Sequence, residues 1–344
     1  MPYDVDQRIY RGAGEQHDGI GRLSAPPPWR SFDGETLADD DPARSARPDP
    51  RPGATDRARL YRPEQSVVDA VDAALLLRRP LLVTGRPGVG KSTLALSIAW
   101  ELRLGPILSW SITSSSRLPD GLYRYDALGR LHDANLRRYE RDSRPTVTPD
   151  NRTTTHQYIT LGPLGTALVG RRRPRVLLID EFDKSNIDLP NDLLNVLEQG
   201  EFTIDELARD ESADAVEVAT ADGTAAQVRG GRVRCNAFPI IVITSNGERS
   251  LPEAFRRRCV LTTISDPDES QLEKIVRTQL GDERFHQAES IFKEFVRRRK
   301  TGESLPVDQL LNAIFLATSG STGNSVTGQA LARAVLGPAP AGDR

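Results

Sequence analysis

Residues 80–92 read PLLVTGRPGVGKS, a short apolar run followed by a glycine-rich turn that ends in Lys91 and Ser92. The turn fits the pattern G-x-x-x-x-G-K-[ST], which binds phosphate when a strand precedes it and a helix follows it. The run at 80–84 suits a buried strand, and apolar residues recur at helical spacing over 91–104. These flanks favour a phosphate-binding loop over a glycine-rich turn that only links a strand to a helix.

The loop predicts that the chain binds a nucleoside triphosphate, which we interpret as ATP, together with Mg²⁺. Its glycines allow backbone N–H groups to face phosphate oxygens at the positive end of the following helix. Lys91 is expected to contact the β- and γ-phosphates, and the Ser92 hydroxyl is expected to ligate Mg²⁺. The predicted nucleotide-binding residues are Gly85, Arg86, Pro87, Gly88, Val89, Gly90, Lys91, Ser92 and Thr93.

A second apolar run, RVLLID at 175–180, ends in Asp180 and is followed by Glu181. Ligand chemistry collects at the carboxyl ends of parallel strands. Asp180 suits the Mg²⁺ shell, through water, and Glu181 suits polarisation of the attacking water. An acidic pair also ends ordinary strands as a solvated turn, but its pairing with the phosphate loop favours the catalytic interpretation.

Polar residues also follow a third run, PIIVIT at 239–244, where Asn246 precedes Gly247. An amide at this strand tip would orient water or contact the γ-phosphate, whereas the Asn-Gly dipeptide by itself is typical of a turn. Arginines occupy 256–258, ahead of a further apolar run. Three consecutive arginines are either a solvated charge run or the source of an arginine that stabilises the γ-phosphate of another chain.

Five apolar runs alternate with helical patterns and predict an α/β fold, a three-layer αβα sandwich around a five-stranded parallel sheet. The runs are 80–84, 106–112, 175–180, 239–244 and 260–264, and a hairpin is expected over 216–235. After about residue 266 the strands stop and a small all-α lid is expected. Its helices are predicted at 269–280, 283–298, 306–318 and 327–336, besides an earlier helix at 61–77.

The predicted domains follow from these shifts in composition. Residues 1–57 are rich in Pro, Asp and Arg and are expected to form a disordered tail, in which Trp29 is a docking point or an incidental aromatic. The nucleotide-binding domain is placed at 58–265, the lid at 266–336, and a flexible tail at 337–344. Residues 140–158 are expected to form a polar loop.

Composition excludes several classes of protein. The 344 residues carry a net charge of −2, so no global charge attracts nucleic acid or anionic lipid. The basic runs at 171–173 and 297–300 are typical of solvated faces. No signal peptide or membrane span is evident, so we expect a cytoplasmic protein. Cys235 and Cys259 match no zinc spacing and are interpreted as buried structural residues.

Together, the loop, the strand ending in Asp180, Asn246, the arginine run and the helical segment resemble an AAA+ ATPase. This P-loop NTPase resemblance is nearest to the MoxR-like and dynein-related group and spans residues 58–336. Further matching segments are LGPL at 161–164, PNDLLNVLE at 190–198, GEFT at 200–203 and LPEAF at 251–255.

The resemblance implies that residues 85–92 are the Walker A motif and that Asp180 and Glu181 are the Walker B pair. It implies that Asn246 is the first sensor and Arg258 the arginine finger, with Arg257 as the alternative. It also implies a homo-oligomeric ring, often a hexamer, that hydrolyses ATP to remodel a protein client or a nucleic acid. For this chain the leading hypothesis is a protein client, in a chaperone role. Tyr125 would line a central pore or be a buried aromatic.

The lid departs from the family pattern. A basic second sensor is expected at the start of its last helix, but the matching stretch GNSVTG at 323–328 has none, and Arg333 lies too far into the helix. This departure favours a second hypothesis, a nucleotide-gated regulatory switch with slow turnover. A third hypothesis is a nucleic-acid motor related to restriction or helicase-loader ATPases.

Overall fold

A computed structural model describes residues 8–36, 49–143, 155–209, 215–303, 305–319, 331–332 and 334–337. Most of the predicted loop at 140–158, the stretch 323–328, Arg333 and most of the C-terminal tail lie outside the described residues. The chain divides into two compact units, one formed by 1–84 with 92–262 and the other by 85–91 with 263–344.

The described residues form the following strands and helices. The strands are β1 (Leu81–Thr84), β2 (Leu108–Ser111), β3 (Tyr123–Tyr125), β4 (Ile159–Leu161), β5 (Val176–Asp180), β6 (Glu201–Thr203), β7 (Ala215–Ala219), β8 (Ala225–Arg229), β9 (Arg232–Arg234), β10 (Ile240–Ser245) and β11 (Val260–Thr263). The helices are α1 (Ala54–Leu60), α2 (Gln65–Leu77), α3 (Lys91–Glu101), α4 (Leu118–Leu122), α5 (Ala127–Ser143), α6 (Pro163–Ala167), α7 (Leu189–Gln199), α8 (Asp205–Ala208), α9 (Glu253–Arg256), α10 (Glu269–Leu280), α11 (Asp282–Gln287), α12 (Glu289–Lys300) and α13 (Val307–Thr318). Within the described ranges, no helix combines the length and apolar character needed to cross a membrane.

The first unit is built on a five-stranded parallel sheet with the order β11-β1-β10-β5-β2. Each strand falls within one of the five predicted apolar runs or extends one residue beyond it, and the predicted α/β fold class is confirmed. Apolar side chains on both faces of β1, β5 and β10 are buried, which is the pattern of a sheet covered by helices on each side. The register pairs Thr84 with Ser245 and Ser111 with Asp180, so polar residues lie together at the carboxyl ends of these strands.

A second, six-stranded sheet in the same unit has the order β3-β4-β7-β8-β9-β6. The hairpin expected over 216–235 is present as β7 and β8, and β9 extends it. At its turn, the Asp222 carboxylate accepts from Thr220, Thr224 and Arg175. The sheet was not predicted because β3, β4 and β6 have only three residues each, too few for an alternating pattern to be read.

The N-terminal residues differ from the expected disordered tail. Residues 8–36 are packed within the first unit, where Tyr10 is fully buried and its hydroxyl shares a hydrogen bond with that of Ser97 in α3. The fully buried Glu101 carboxylate accepts from the backbone N–H groups of Arg11, Gly12 and Gly14. Composition missed this segment because it is ordered by one buried carboxylate and close backbone contacts rather than by periodic apolar residues.

A second attachment of the same segment lies at Arg30. Its guanidinium donates to the backbone oxygens of Arg78 and Leu197, and it lies over the rings of Phe32 and Phe238. The neighbouring Trp29 is 74% exposed. The segment is therefore held at both ends of residues 8–36 while Trp29 stays in solvent.

Glu101→Ala is expected to destabilise the first unit by about 3 kcal/mol, because several buried N–H groups lose their acceptor. His17 also loses a partner: its Nδ1 accepts from Gly19 N–H, so its Nε2 carries the proton that it donates to Glu101. Urea unfolding measures the change, with the exposed Glu15→Ala as the matched control. Equal unfolding midpoints for the two variants would contradict this role of Glu101.

In the second unit, residues after 263 form a helical lid around a small apolar core, as predicted. Core side chains come from each helix, namely Leu272, Val276, Phe285, Phe292, Phe295, Leu310 and Ile314. The single helix predicted at 283–298 is instead two helices, α11 and α12. The helix is interrupted at Ala288, whose φ of −114° is not helical. The interruption allows the rings of Phe285 and Phe292 to pack edge to face, with their centroids 5.2 Å apart.

Both cysteines are buried and free, which confirms the prediction for Cys235 and Cys259. Burial raises the pKa of each thiol to about 12. At neutral pH both are therefore un-ionised and inert, as expected for small apolar core residues.

Candidate nucleotide site

The loop between β1 and α3 depends on its glycines. Gly88 and Gly90 have φ values of 79° and 94°, a region that other L-residues adopt only with strain. Space is also limited at Gly88, since a Cβ there would lie 2.8 Å from the Cβ of Pro306. The loop backbone therefore adopts a conformation that a side chain at Gly88 or Gly90 would strain.

Lys91 closes the loop. Its side chain is buried, and its Nζ donates to the backbone oxygens of Gly85 at 2.7 Å and Arg86 at 2.8 Å. The Arg86 side chain points elsewhere and pairs with Asp266 at 3.1 Å. Lys91 thus places its ammonium group against the loop backbone, whereas the Arg86 guanidinium forms an ion pair with a carboxylate of the lid.

In the first unit, the Asp180 carboxylate at the end of β5 accepts hydrogen bonds from two hydroxyl groups. Ser92 Oγ donates to Asp180 Oδ1 at 2.8 Å, and Thr244 Oγ1 donates to the same oxygen at 2.6 Å. The structure therefore brings together Ser92 and Asp180, the two residues predicted to serve Mg²⁺. Lys91 and Ser92 are consecutive, so one peptide bond joins the loop to this cluster.

Glu181 has a left-handed backbone, with φ 59° and ψ 45°. Non-glycine residues in this region are uncommon and occur at sites where the surroundings enforce them. Its N–H donates to Thr244 Oγ1 at 2.9 Å, and its carboxylate accepts from Lys184 Nζ at 2.8 Å. This bond to Glu181 raises the pKa of Lys184 above its usual value.

Asn246 follows β10 in a turn fixed by Asp183. The buried Asp183 carboxylate accepts the N–H groups of Asn246 at 2.9 Å and Glu248 at 3.0 Å through Oδ2. Asn246 itself is half-buried at the strand tip. The turn that the Asn-Gly dipeptide indicated is present, and it is held against the segment that follows Glu181.

Both predicted arginine-finger residues are engaged within the chain. Arg258 pairs with Glu198 of α7 and donates to the backbone oxygen of Ala254 at 3.0 Å. Arg257 pairs with Glu253 one helical turn earlier. These side chains lie on the surface, and their role toward another chain stays a prediction.

Two further predicted residues, Thr93 and Tyr125, are half-buried. Thr93 is half-buried in the first turn of α3. Tyr125 ends β3, is half-buried against the core, and its hydroxyl accepts from Arg130 at 2.8 Å. Tyr125 is therefore partly covered, and a position in a central pore stays a prediction.

The family described as AAA domain (dynein-related subfamily) matches residues 80–259, just over half of the chain. The chain belongs to the dynein-related AAA family. This result confirms the AAA+ resemblance and with it an NTPase fold. No curated protein matches the chain.

Among solved structures, this AAA protein is similar to domain III of the replication initiation protein DnaA from Thermotoga maritima. The sequences are 17% identical, and the match covers 84% of this chain and 99% of that one with a TM-score of 0.41.

Sequence reasoning missed three residues that contact the candidate site residues, namely Thr244, Asp183 and Lys184. Lys184 is the one with a local signal, because a lysine three residues after a glutamate is within reach of it when the chain turns. Thr244 and Asp183 reach their partners across strands, and their contacts depend on the register of β5 and β10.

Proposed function

We propose that this AAA protein binds Mg-ATP at residues 85–92 and hydrolyses it. The observation that carries the proposal is the 2.8 Å hydrogen bond from Ser92 Oγ to Asp180 Oδ1. It joins the residue after the loop lysine to the carboxylate at the end of β5, and both groups are hard oxygen ligands of the kind that Mg²⁺ takes.

The residues present fit the nucleotide and the metal. Positive φ values at Gly88 and Gly90 allow a backbone conformation in which loop N–H groups face phosphate oxygens, and buried Lys91 supplies a cation on the same loop. Bound Mg²⁺ would neutralise charge on the phosphate oxygens. Ser92 and Asp180 would hold it, the latter through water.

Glu181 and Asn246 are assigned the hydrolytic roles. Glu181 would accept a proton from water at its carboxylate, since it adjoins Asp180, whose own carboxylate already accepts from the Ser92 hydroxyl. Asn246 would orient that water from the turn that Asp183 fixes. Arg258 would act on a neighbouring chain, because its surface ion pair with Glu198 is of a kind that costs little to break.

We further propose a homo-oligomeric ring in the cytoplasm that remodels a protein client, a MoxR-like chaperone role that rests on the family resemblance. A second candidate is the regulatory switch with slow turnover. The stretch GNSVTG at 323–328 favours it, because it contains no basic residue to act as a second sensor in the lid.

Mixing two inactive variants tests hydrolysis and assembly together. Glu181→Gln keeps Arg258, and Arg258→Ala keeps Glu181, so neither alone should sustain turnover. Random mixing in a ring would place an intact Glu181 opposite an intact Arg258 at about a quarter of the interfaces, restoring activity in proportion. Arg256→Ala, which removes another arginine of the same run, is the control. This variant should hydrolyse ATP without a second variant to complement it.

Failure to recover activity in the mixture, with an active wild type, would contradict a trans role for Arg258. A wild type that binds ATP without turnover at any protein concentration would favour the switch. Turnover that rises with DNA or RNA and weakens with salt would favour the nucleic-acid motor.

A further inference from the structure

Thr244 lies where the two Walker B residues meet. It is on β10, next to β5 in the sheet, and is 1% exposed. Its hydroxyl has one proton, which goes to Asp180 Oδ1 at 2.6 Å. A lone pair of the same oxygen accepts the Glu181 N–H at 2.9 Å. One hydroxyl therefore contacts both acidic residues, in opposite senses.

The contact to Glu181 matters because of the backbone there. Glu181 holds φ 59° without being glycine, and such a conformation persists only where neighbours enforce it. The hydrogen bond from its N–H fixes the peptide that precedes its Cα. If this bond is lost, the residue can relax toward an ordinary conformation, which would move the carboxylate.

The contact to Asp180 has a different effect. Asp180 Oδ1 accepts from Thr244 as well as from Ser92, so the carboxylate orientation is set by a fixed core group and not by Ser92 alone. Ser92 can then turn toward a metal while Asp180 keeps its place. An isosteric valine at 244 would fill the same space but offer neither a donor nor an acceptor.

We propose that Thr244 is a positioning residue for ATP hydrolysis that orients Asp180 and Glu181 through its single hydroxyl. The proposal rests on the proposed function, in which Asp180 serves Mg²⁺ and Glu181 serves water. It adds a residue that touches neither nucleotide nor metal and that no motif in the sequence indicates.

The alternative is that Thr244 only satisfies a buried N–H and so contributes stability. Thr166 provides a matched comparison: it is fully buried, and its hydroxyl accepts the Ala221 N–H at 3.0 Å. Ala221 precedes the turn residue Asp222 of the β7–β8 hairpin and not the acidic pair. Thr166→Val thus removes a similar hydroxyl without a link to Asp180 or Glu181.

The test compares kcat, ATP affinity and amide exchange in wild type, Thr244→Val, Thr244→Ser and Thr166→Val. Thr244→Val is expected to lower kcat about tenfold, with ATP affinity changed less than about threefold. Thr244→Ser, which keeps the hydroxyl, is expected to have a kcat close to that of wild type. Thr166→Val should keep wild-type kcat. The Glu181 amide should exchange faster in Thr244→Val than in Thr244→Ser.

Equal kcat values in Thr244→Val and Thr244→Ser, with an active wild type, would overturn the role of Thr244 while leaving the proposed function intact. Absence of turnover in every protein would overturn the proposed function instead. If Thr244→Val does not fold, Thr244→Cys replaces it, because a thiol is a weak donor and acceptor. The same loss of kcat is then expected, and a wild-type kcat would overturn the proposal.

Discussion

Glu181→Gln is expected to abolish ATP turnover while ATP binding persists. Glutamine keeps the size of the side chain but cannot accept a proton from water, so the loss should be about 10²- to 10⁴-fold in kcat, the usual contribution of a general base. Binding should survive because the residues at 85–92 are unchanged. Steady-state phosphate release and equilibrium ATP binding measure the two effects separately.

The control for this substitution is Glu217→Gln, the same chemical change on an exposed residue of β7. It should match wild type in both measurements. If Glu181→Gln hydrolyses ATP at the wild-type rate, another group activates water and the assignment of Glu181 is wrong. If it loses ATP binding as well, the effect is on the site as a whole and not on proton transfer.

Lys91→Ala is expected to weaken ATP binding about 100-fold, since a cation at phosphate oxygens is lost, an interaction worth about 1.5–3 kcal/mol. The fold should persist, because the hydrogen bonds from Lys91 Nζ to the backbone oxygens of Gly85 and Arg86 lie within the loop itself. Titration with a fluorescent ATP analogue gives the affinity, and thermal unfolding gives the stability.

Lys274→Ala, an exposed lysine of α10, is the matched control and should bind ATP as wild type does. Unchanged affinity in Lys91→Ala would remove the phosphate loop from the site. A collapse of Tm without a measurable folded fraction would instead show that Lys91 is needed for the fold, contrary to the expectation from its hydrogen bonds within the loop.

The central sheet could be predicted because each of its strands is a run of apolar residues with the loop motif after the first. The lid helices could be predicted from their 3.6-residue spacing. The break at Ala288 could not, because it depends on how Phe285 and Phe292 pack in the lid core. The second sheet was missed because its three-residue strands gain stability from pairing and carry no pattern of their own.

The N-terminal segment shows a different limit of sequence reasoning. Its composition is typical of disorder, yet Glu101, about 90 residues later, supplies acceptors for its N–H groups. In the site, Lys91, Ser92, Asp180 and Glu181 follow from local motifs. Thr244 does not, since its importance comes from the register that places it beside β5.

Phosphate release by the wild-type protein in saturating Mg-ATP, measured over a range of protein concentrations beside Glu181→Gln, tests the central claim most directly. We expect repeated turnover by the wild type, a rate per chain that rises with protein concentration, and loss of activity with EDTA or in the variant. A wild-type rate equal to that of Glu181→Gln at every concentration would contradict the claim that residues 85–92, Asp180 and Glu181 form an ATP-hydrolysing site.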